Sequence, residues 1–276
     1  MKIFISVDLE GISCVTHNDQ LDKQGGPAYE AARKWLTAET NAAVEGAMKG
    51  GATQIVVADG HNYMRNLIPD ELHEDVTIIN GSPRTLIQME GIDDSFDAVF
   101  FVGHHPGAGN TIGGLAHTFF MPLVSELSLN DQPVNEVIFN SALAGHFNVP
   151  TALITGDDRL SEEVKESIPW AERVVTKWAL SPYAARNLTP KKSQQMIRTA
   201  ARRAIERLAE MKVIKMAAPV HLKVKFRTEI STFLTVDIPG VERIDGYTVA
   251  FKGADMVETT KILALMAYAS IVQFSL

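Results

Sequence analysis

A single cysteine, Cys14, stands in a chain of 276 residues. No internal disulfide can form, so the fold must rest on packing and a reducing cytoplasm suits it. Cys14 itself reads as buried filler rather than as a nucleophile, because free cysteine behaves as a small hydrophobe. An excess of positive charge is also missing: 26 Lys+Arg against 33 Asp+Glu give a formal charge of -7. Broad attraction to nucleic acid or to an anionic membrane is thereby excluded. The opening apolar run meets Asp8 and Glu10 before it reaches signal-peptide length, so neither export nor membrane insertion is expected. Internal repeats, low-complexity tracts and long linkers are absent. The hydrophobic content, by contrast, is 46%, enough for one large core or two modest ones.

That apolar content is concentrated in short β-branched runs, three of which break into acid or histidine at their carboxyl ends. Ile3-Phe4-Ile5-Ser6-Val7 leads into Asp8-Leu9-Glu10-Gly11, Ile55-Val56-Val57-Ala58 into Asp59-Gly60-His61, and Ala98-Val99-Phe100-Phe101-Val102-Gly103 into His104-His105. Continuous apolar runs of this kind read as strands buried on both faces, the pattern of a parallel sheet covered by helices. Ligands of such sheets bind beyond the carboxyl ends of the strands, so three metal-competent clusters can converge on one crevice.

The segments between alternate in type. Residues 27–50 carry Ala31, Trp35, Ala38 and Ala42 at helical spacing, with Gly50-Gly51 as a stop, which predicts a crossover helix and a right-handed βαβ unit. Val76–Ile79 reads as a strand, 84–89 as a short helix, 135–147 as a helix and 151–155 as a strand. Ser161 is a plausible N-cap for a helix opening there. Beyond Ser181-Pro182 the alternation gives way to a long helix over 191–212, the segments 220–226 and 247–251, and a last helix over 255–272. The expectation is an α/β fold, a three-layer and mostly parallel sheet with helices on both faces, plus a smaller α+β domain. The first, metal-binding domain spans 1–180 and the second 181–276.

Taken singly the clusters are not decisive. Asp8 and Glu10 share a face if the strand stays extended, and Gly11 permits a tight turn, but Asp8 could simply cap the next segment. Asp59-Gly60 is a turn signal first. The glycine-rich stretch 106–117 lacks the order of a dinucleotide fingerprint and the Lys-Ser/Thr of a phosphate loop. His17, His73, His146 and His221 have no strand-end setting and read as ordinary histidines. Carboxylates mixed with imidazoles, and no cysteine, suit zinc, manganese or cobalt in a hydrolytic site, and a carboxylate able to bridge suggests two metals.

Several spaced motifs, taken together, resemble the D-aminopeptidase family of M55 peptidases: Ser6–Ser13, Asp59-Gly60-His61, Glu90-Gly91 with Phe96, Gly103-His104-His105, Ala116-His117, Asn130–Glu136 and Gly156-Asp157-Asp158. They run in the family's order through the first 160 residues or so, and the last third resembles it weakly. The resemblance implies a binuclear zinc peptidase that removes amino-terminal D-residues, such as D-Ala, from short peptides, with two zinc ions per subunit. It implies a homo-oligomer as well, a decamer of pentameric rings enclosing its active sites. Carried over by position, the metal ligands fall on Asp8, Glu10, His61, His105 and Glu136, with Asp8 bridging, and the catalytic histidine on His117. Two metals sharing Asp8 would supply nucleophile and electrophile at neutral pH, and His117 could act as nucleophile, donate a proton to the leaving amine or stabilise the oxyanion. Preference for the D-enantiomer rests on the resemblance alone.

Two other readings compete. In a haloacid-dehalogenase-like, magnesium-dependent phosphatase, Asp8 would be the nucleophile and Gly156-Asp157-Asp158 the late acidic motif; that leaves His61, His105 and Glu136 idle. A non-catalytic peptide-binding protein would keep the site without turnover.

Overall fold

The computed structural model describes residues 1–121, 123–271 and 273. Its organising element is a seven-stranded sheet. Strands β1 (Lys2–Val7), β2 (Gln54–Asp59), β3 (Val76–Ile79) and β4 (Ala98–His104) are joined in it by β7 (Thr151–Asp157), β8 (Glu172–Ser181) and β9 (Ala184–Asn187). The spatial order is β3-β2-β1-β4-β7-β8-β9, parallel except for β9, which turns back along β8. From β1 the chain builds outward through β2 to β3, then returns to place β4 on the other side of β1. Strand order therefore reverses between β1 and β4, and a crevice opens beyond their carboxyl ends.

The strands are buried on both faces, and their residues divide by parity as the two-residue period requires. Ile3, Ile5 and Val7 of β1 and Ala98, Phe100 and Val102 of β4 pack against helix α1 (Pro27–Gly50) and helix α4 (Pro190–Glu206). Phe4, Val99 and Phe101 face the opposite layer, with helix α2 (Glu136–His146) and a second sheet. Each of the larger of these side chains contributes about 1.5–3 kcal/mol when fully withdrawn from water. The second sheet is antiparallel, in the order β11-β12-β10-β5-β6, from β5 (Val124–Leu129), β6 (Gln132–Pro133), β10 (Val220–Phe226), β11 (Val241–Arg243) and β12 (Thr248–Gly253). Helices α5 (Glu229–Thr235) and α6 (Met256–Ile271) accompany it, and the short α3 (Asp158–Glu163) follows β7.

The α/β architecture is as expected. The elements, however, do not divide at residue 180: β5 and β6 of the antiparallel sheet come before it, while β9 and α4, which follow it, complete the parallel sheet and its helical layer. Strand pairing joins segments far apart in the chain, which a change of pattern along the sequence does not register. Ala42 of the expected stripe of α1 is buried, as are Val44 and Ala47, but Ala31, Trp35 and Ala38 are half-buried and Ala32, Leu36, Thr40 and Ala43 lie inside, because the helix is wedged between the sheet and α4 and buries a broader face. Asp157, not Ser161, caps α3 by accepting the Leu160 N–H at 2.8 Å. The helix expected over 84–89 is a single 3-10 turn, Ile87–Met89, since the Arg84 side chain is drawn inward to the carbonyls of Gly81, Asp59 and Ile79. The long helix ends at Glu206 and is followed by a 3-10 turn, Leu208–Glu210; the expected end of the last helix, Val272, lies outside the described residues. Cys14 is half-buried rather than buried.

Candidate active site

Asp8 and Glu10 leave the end of β1, His61 follows β2, His105 follows β4, His117 closes the glycine-rich loop after it, and Glu136 opens α2. All six are buried, and all six meet in the crevice between β1 and β4. The turn that brings Glu10 back toward Asp8 depends on Gly11, where any Cβ would overlap the backbone carbonyl of His104. Gly103 does the same from the other strand: its φ of +74° is in the left-handed region, and a Cβ there would collide with the Asp8 carbonyl. Two strand ends approach this closely only because neither glycine has a side chain.

Each of the three histidines has one ring nitrogen committed to a main-chain carbonyl, which can only accept. His61 Nε2 lies 2.7 Å from the Leu21 oxygen, His105 Nδ1 2.9 Å from that of Pro106, and His117 Nδ1 3.0 Å from that of Leu115. The committed nitrogen therefore carries a proton, and the other nitrogen faces carboxylates. His61 Nδ1 faces Glu10 Oε2 at 2.9 Å and Asp8 Oδ1 at 3.3 Å. His105 Nε2 lies 3.3 Å from both Asp8 Oδ2 and Glu136 Oε1. His117 Nε2 is 3.9 Å from Glu10 Oε1 and from Glu136 Oε1, its ring stacked on that of His105 at 3.8 Å between centroids. The two oxygens of Asp8 thus address different histidines on opposite sides.

The electrostatics agree. Burial alone would raise the Asp8 carboxyl, but the His105 and His61 rings beside it hold it well below its ordinary range. Burial would likewise lower His61 and His105, yet Glu10 and Glu136 respectively, each with Asp8, hold them well above. The crevice favours positive charge. His117 is pushed below its ordinary value, first by burial and then by His105 beside it, so its ring stays neutral.

The donor set fits a metal. Glu10 Oε2 and His105 Nε2 are buried and have no hydrogen-bond partner despite their close neighbours, the state expected of an atom that shares a cation with those neighbours. Three overlapping groups bring their donor atoms within 4.8 Å of one another: Asp8, Glu10 and His61; His105, His117 and Glu136; and Asp8, His104 and Glu136. Carbonyls that orient histidines are the usual outer support of such sites.

Other side chains and one backbone N–H surround these six. Gln88 donates to Glu136 Oε2 at 2.6 Å and accepts from Asn140 at 2.6 Å, while the Phe119 N–H donates to Glu136 Oε1. His104 is fully buried with both ring nitrogens unpartnered, Nδ1 3.8 Å from Asp8 Oδ2. Adjacent to His105 in the chain, it offered a signal; Gln88 offered none, since its partners lie far along the chain. Asp59, by contrast, is spent on structure, accepting from the backbone N–H groups of Asn66 and Leu67. The late acidic motif is also structural. Asp157 caps α3 and accepts from Gly114, and Asp158 accepts from Ala179, so neither faces Asp8 as a phosphatase would need.

An α/β protein with a buried carboxylate–histidine cluster able to hold metal is the class this geometry defines. The M55 peptidase family model, described as D-aminopeptidase, matches residues 1–265, and the chain belongs to that family. It is 31% identical over 267 residues to a D-aminopeptidase of Bacillus subtilis (strain 168), covering 96% of either sequence. The fold superposes with a TM-score of 0.94, at 30% identity and over 98% of both chains, on a solved structure described as the Zn-dependent D-aminopeptidase DppA from Bacillus subtilis, a self-compartmentalizing protease.

Proposed function

We propose that the protein is a zinc-dependent aminopeptidase that releases amino-terminal D-residues, D-Ala among them, from short peptides at a two-metal site. The observation that carries this reading is the split of Asp8, whose Oδ1 faces His61 and whose Oδ2 faces His105. A carboxylate so placed is suited to bridge, with Glu10 and His61 completing one position and His105 and Glu136 the other. Zinc held there supplies Lewis acidity toward the peptide carbonyl and a nucleophile from water at neutral pH. The chain's own residues do the rest. His117, neutral and with Nε2 free of any hydrogen bond donor, takes up a proton at that atom and returns it to the departing amine; its Nδ1–H stays on the Leu115 carbonyl throughout. Gln88 and the Phe119 N–H fix the Glu136 carboxylate, so its orientation does not change with the substrate.

Following the relative described as self-compartmentalizing, we read the protein as a closed homo-oligomer, a decamer of pentameric rings that admits short peptides and excludes folded proteins. The function is tested by incubating purified protein, before and after chelation, with matched D- and L-alanyl amides and di- to tetrapeptides. Hydrolysis of the D-series alone, lost on chelation and restored by zinc, is expected, with close to two zinc equivalents per chain and both lost in Asp8→Ala. Equal rates on the two series would reject the stereochemical reading, and one equivalent of metal the binuclear one. A protein that takes only magnesium, with His61→Ala fully active, would reject both.

A further inference from the structure

Behind the crevice a lysine is buried without touching any carboxylate. Lys177, on β8, is 1% exposed, and its Nζ donates to three backbone carbonyls, those of Glu10, Ile12 (at 3.2 Å) and Val15. Three acceptors use all three ammonium protons. The hydroxyl of its neighbour Thr176 reaches the Gly11 carbonyl at 2.7 Å, so two adjacent side chains of β8 cover the carbonyls of residues 10, 11, 12 and 15. These carbonyls need such partners. Past Glu10 the chain turns out of the sheet against His104, where neither a strand ladder nor water reaches it, and a buried unpaired carbonyl is costly. Oxygens gathered around one point also repel unless a cation lies among them.

A second arm runs to His117. Asp157, on β7 beside β8, accepts the Gly114 N–H at 2.9 Å, and the next N–H, that of Leu115, donates to the Pro182 carbonyl just beyond β8 at 3.0 Å. The Leu115 carbonyl is the one that fixes the His117 ring. The Cε of Lys177 lies 4.0 Å from where a side chain on Gly114 would begin, so the ammonium arm and the glycine loop share one wall.

We propose that Lys177 is the positioning residue of this site, a built-in cation that organises the carbonyls behind Glu10 and, with Asp157, sets the Glu10 turn and the His117 loop at a fixed separation. It carries no atom into the reaction. The proposal rests on the reading of Glu10 as a zinc ligand and His117 as the proton carrier.

The test compares wild type, Lys177→Met and Asp157→Asn by zinc titration against a competing chelator, by kcat and KM, and by thermal melting. Lys177→Met keeps the unbranched stem of the side chain without the ammonium; its zinc affinity should fall at least tenfold, the scale of outer-support losses in metal sites, with kcat falling in step. Asp157→Asn should retain zinc, since its partners are the N-terminus of α3 and the His117 loop and neither is a metal ligand, and lose at least about tenfold in kcat with KM little changed. A Lys177→Met protein that melts earlier but keeps wild-type zinc affinity and kcat is merely destabilised, and that result overturns the proposal. Should Lys177→Met fail to fold, Asp157→Asn decides: wild-type kcat in that variant overturns the shared brace, and a loss of kcat with zinc retained supports it. Wild type that holds no zinc in the same titration defeats the metal assignment itself, and this proposal with it; wild type that holds zinc beside an unchanged Lys177→Met defeats this proposal alone.

Discussion

His61, His105 and His117 share an arrangement but differ in what their free nitrogen meets. For His61 and His105 it meets carboxylate oxygens at 2.9–3.3 Å; for His117 the nearest are 3.9 Å away. A ring held farther out and kept neutral is suited to proton transfer more than to ligation. His117→Ala should therefore keep its zinc and lose activity by about two orders of magnitude or more. Zinc content measured beside turnover checks this; loss of metal in His117→Ala, with metal retained in His105→Ala, would exchange the two roles.

Helix α1 sets a second ionisable group beneath the site. It presses Glu39 against the turn after β1, where Oε1 accepts the Ser13 N–H at 3.2 Å and Oε2 has no partner. Burial pushes this carboxyl up to about 7. The folded protein then holds a proton that the unfolded chain, with a carboxyl near its ordinary value, releases at lower pH. Its contribution to stability is fully present below the unfolded value and is lost as pH rises from there through about 7, amounting to about 3 kcal/mol at most. Glu39→Gln, the same shape without the charge, should lose this slope and be the more stable protein at pH 8. Urea denaturation at pH 5 and pH 8 measures it, and an unchanged slope in the variant would assign the pH dependence elsewhere.

At the scale of the whole molecule, several large apolar side chains remain on the surface, Phe233 at 68%, Leu180 at 66% and Tyr183 at 56% exposure among them. Single exposed hydrophobes are ordinary, but a closed assembly of identical chains would have such groups to cover. The protein should elute as a multiple of its monomer mass, ten being the expected number. Light scattering on active protein gives the answer, and a stable, fully active monomer would remove the chamber from the functional reading.

The sequence by itself determined the sheet-forming runs, their burial on two faces and the acid or histidine at three of their ends, because these follow from hydrophobic periodicity and glycine placement within a few residues. Its spaced motifs also carried the family, and with it Asp8, Glu10, His61, His105, His117 and Glu136 as the residues to watch. The tertiary structure showed why Asp59 is not among them: Asp8 faces the crevice, while Asp59 turns to the backbone of Asn66 and Leu67. It likewise decided that β5 and β6 leave the first sheet for the second, and that Gln88 and Lys177 stand behind the site from strands and turns distant in the chain. Local pattern records how a segment can fold and which of its faces is apolar. Where a carboxylate points, and which carbonyls an ammonium gathers, depends on the neighbours that strand order and close glycine contacts bring to it, and those are set only when the whole chain is packed.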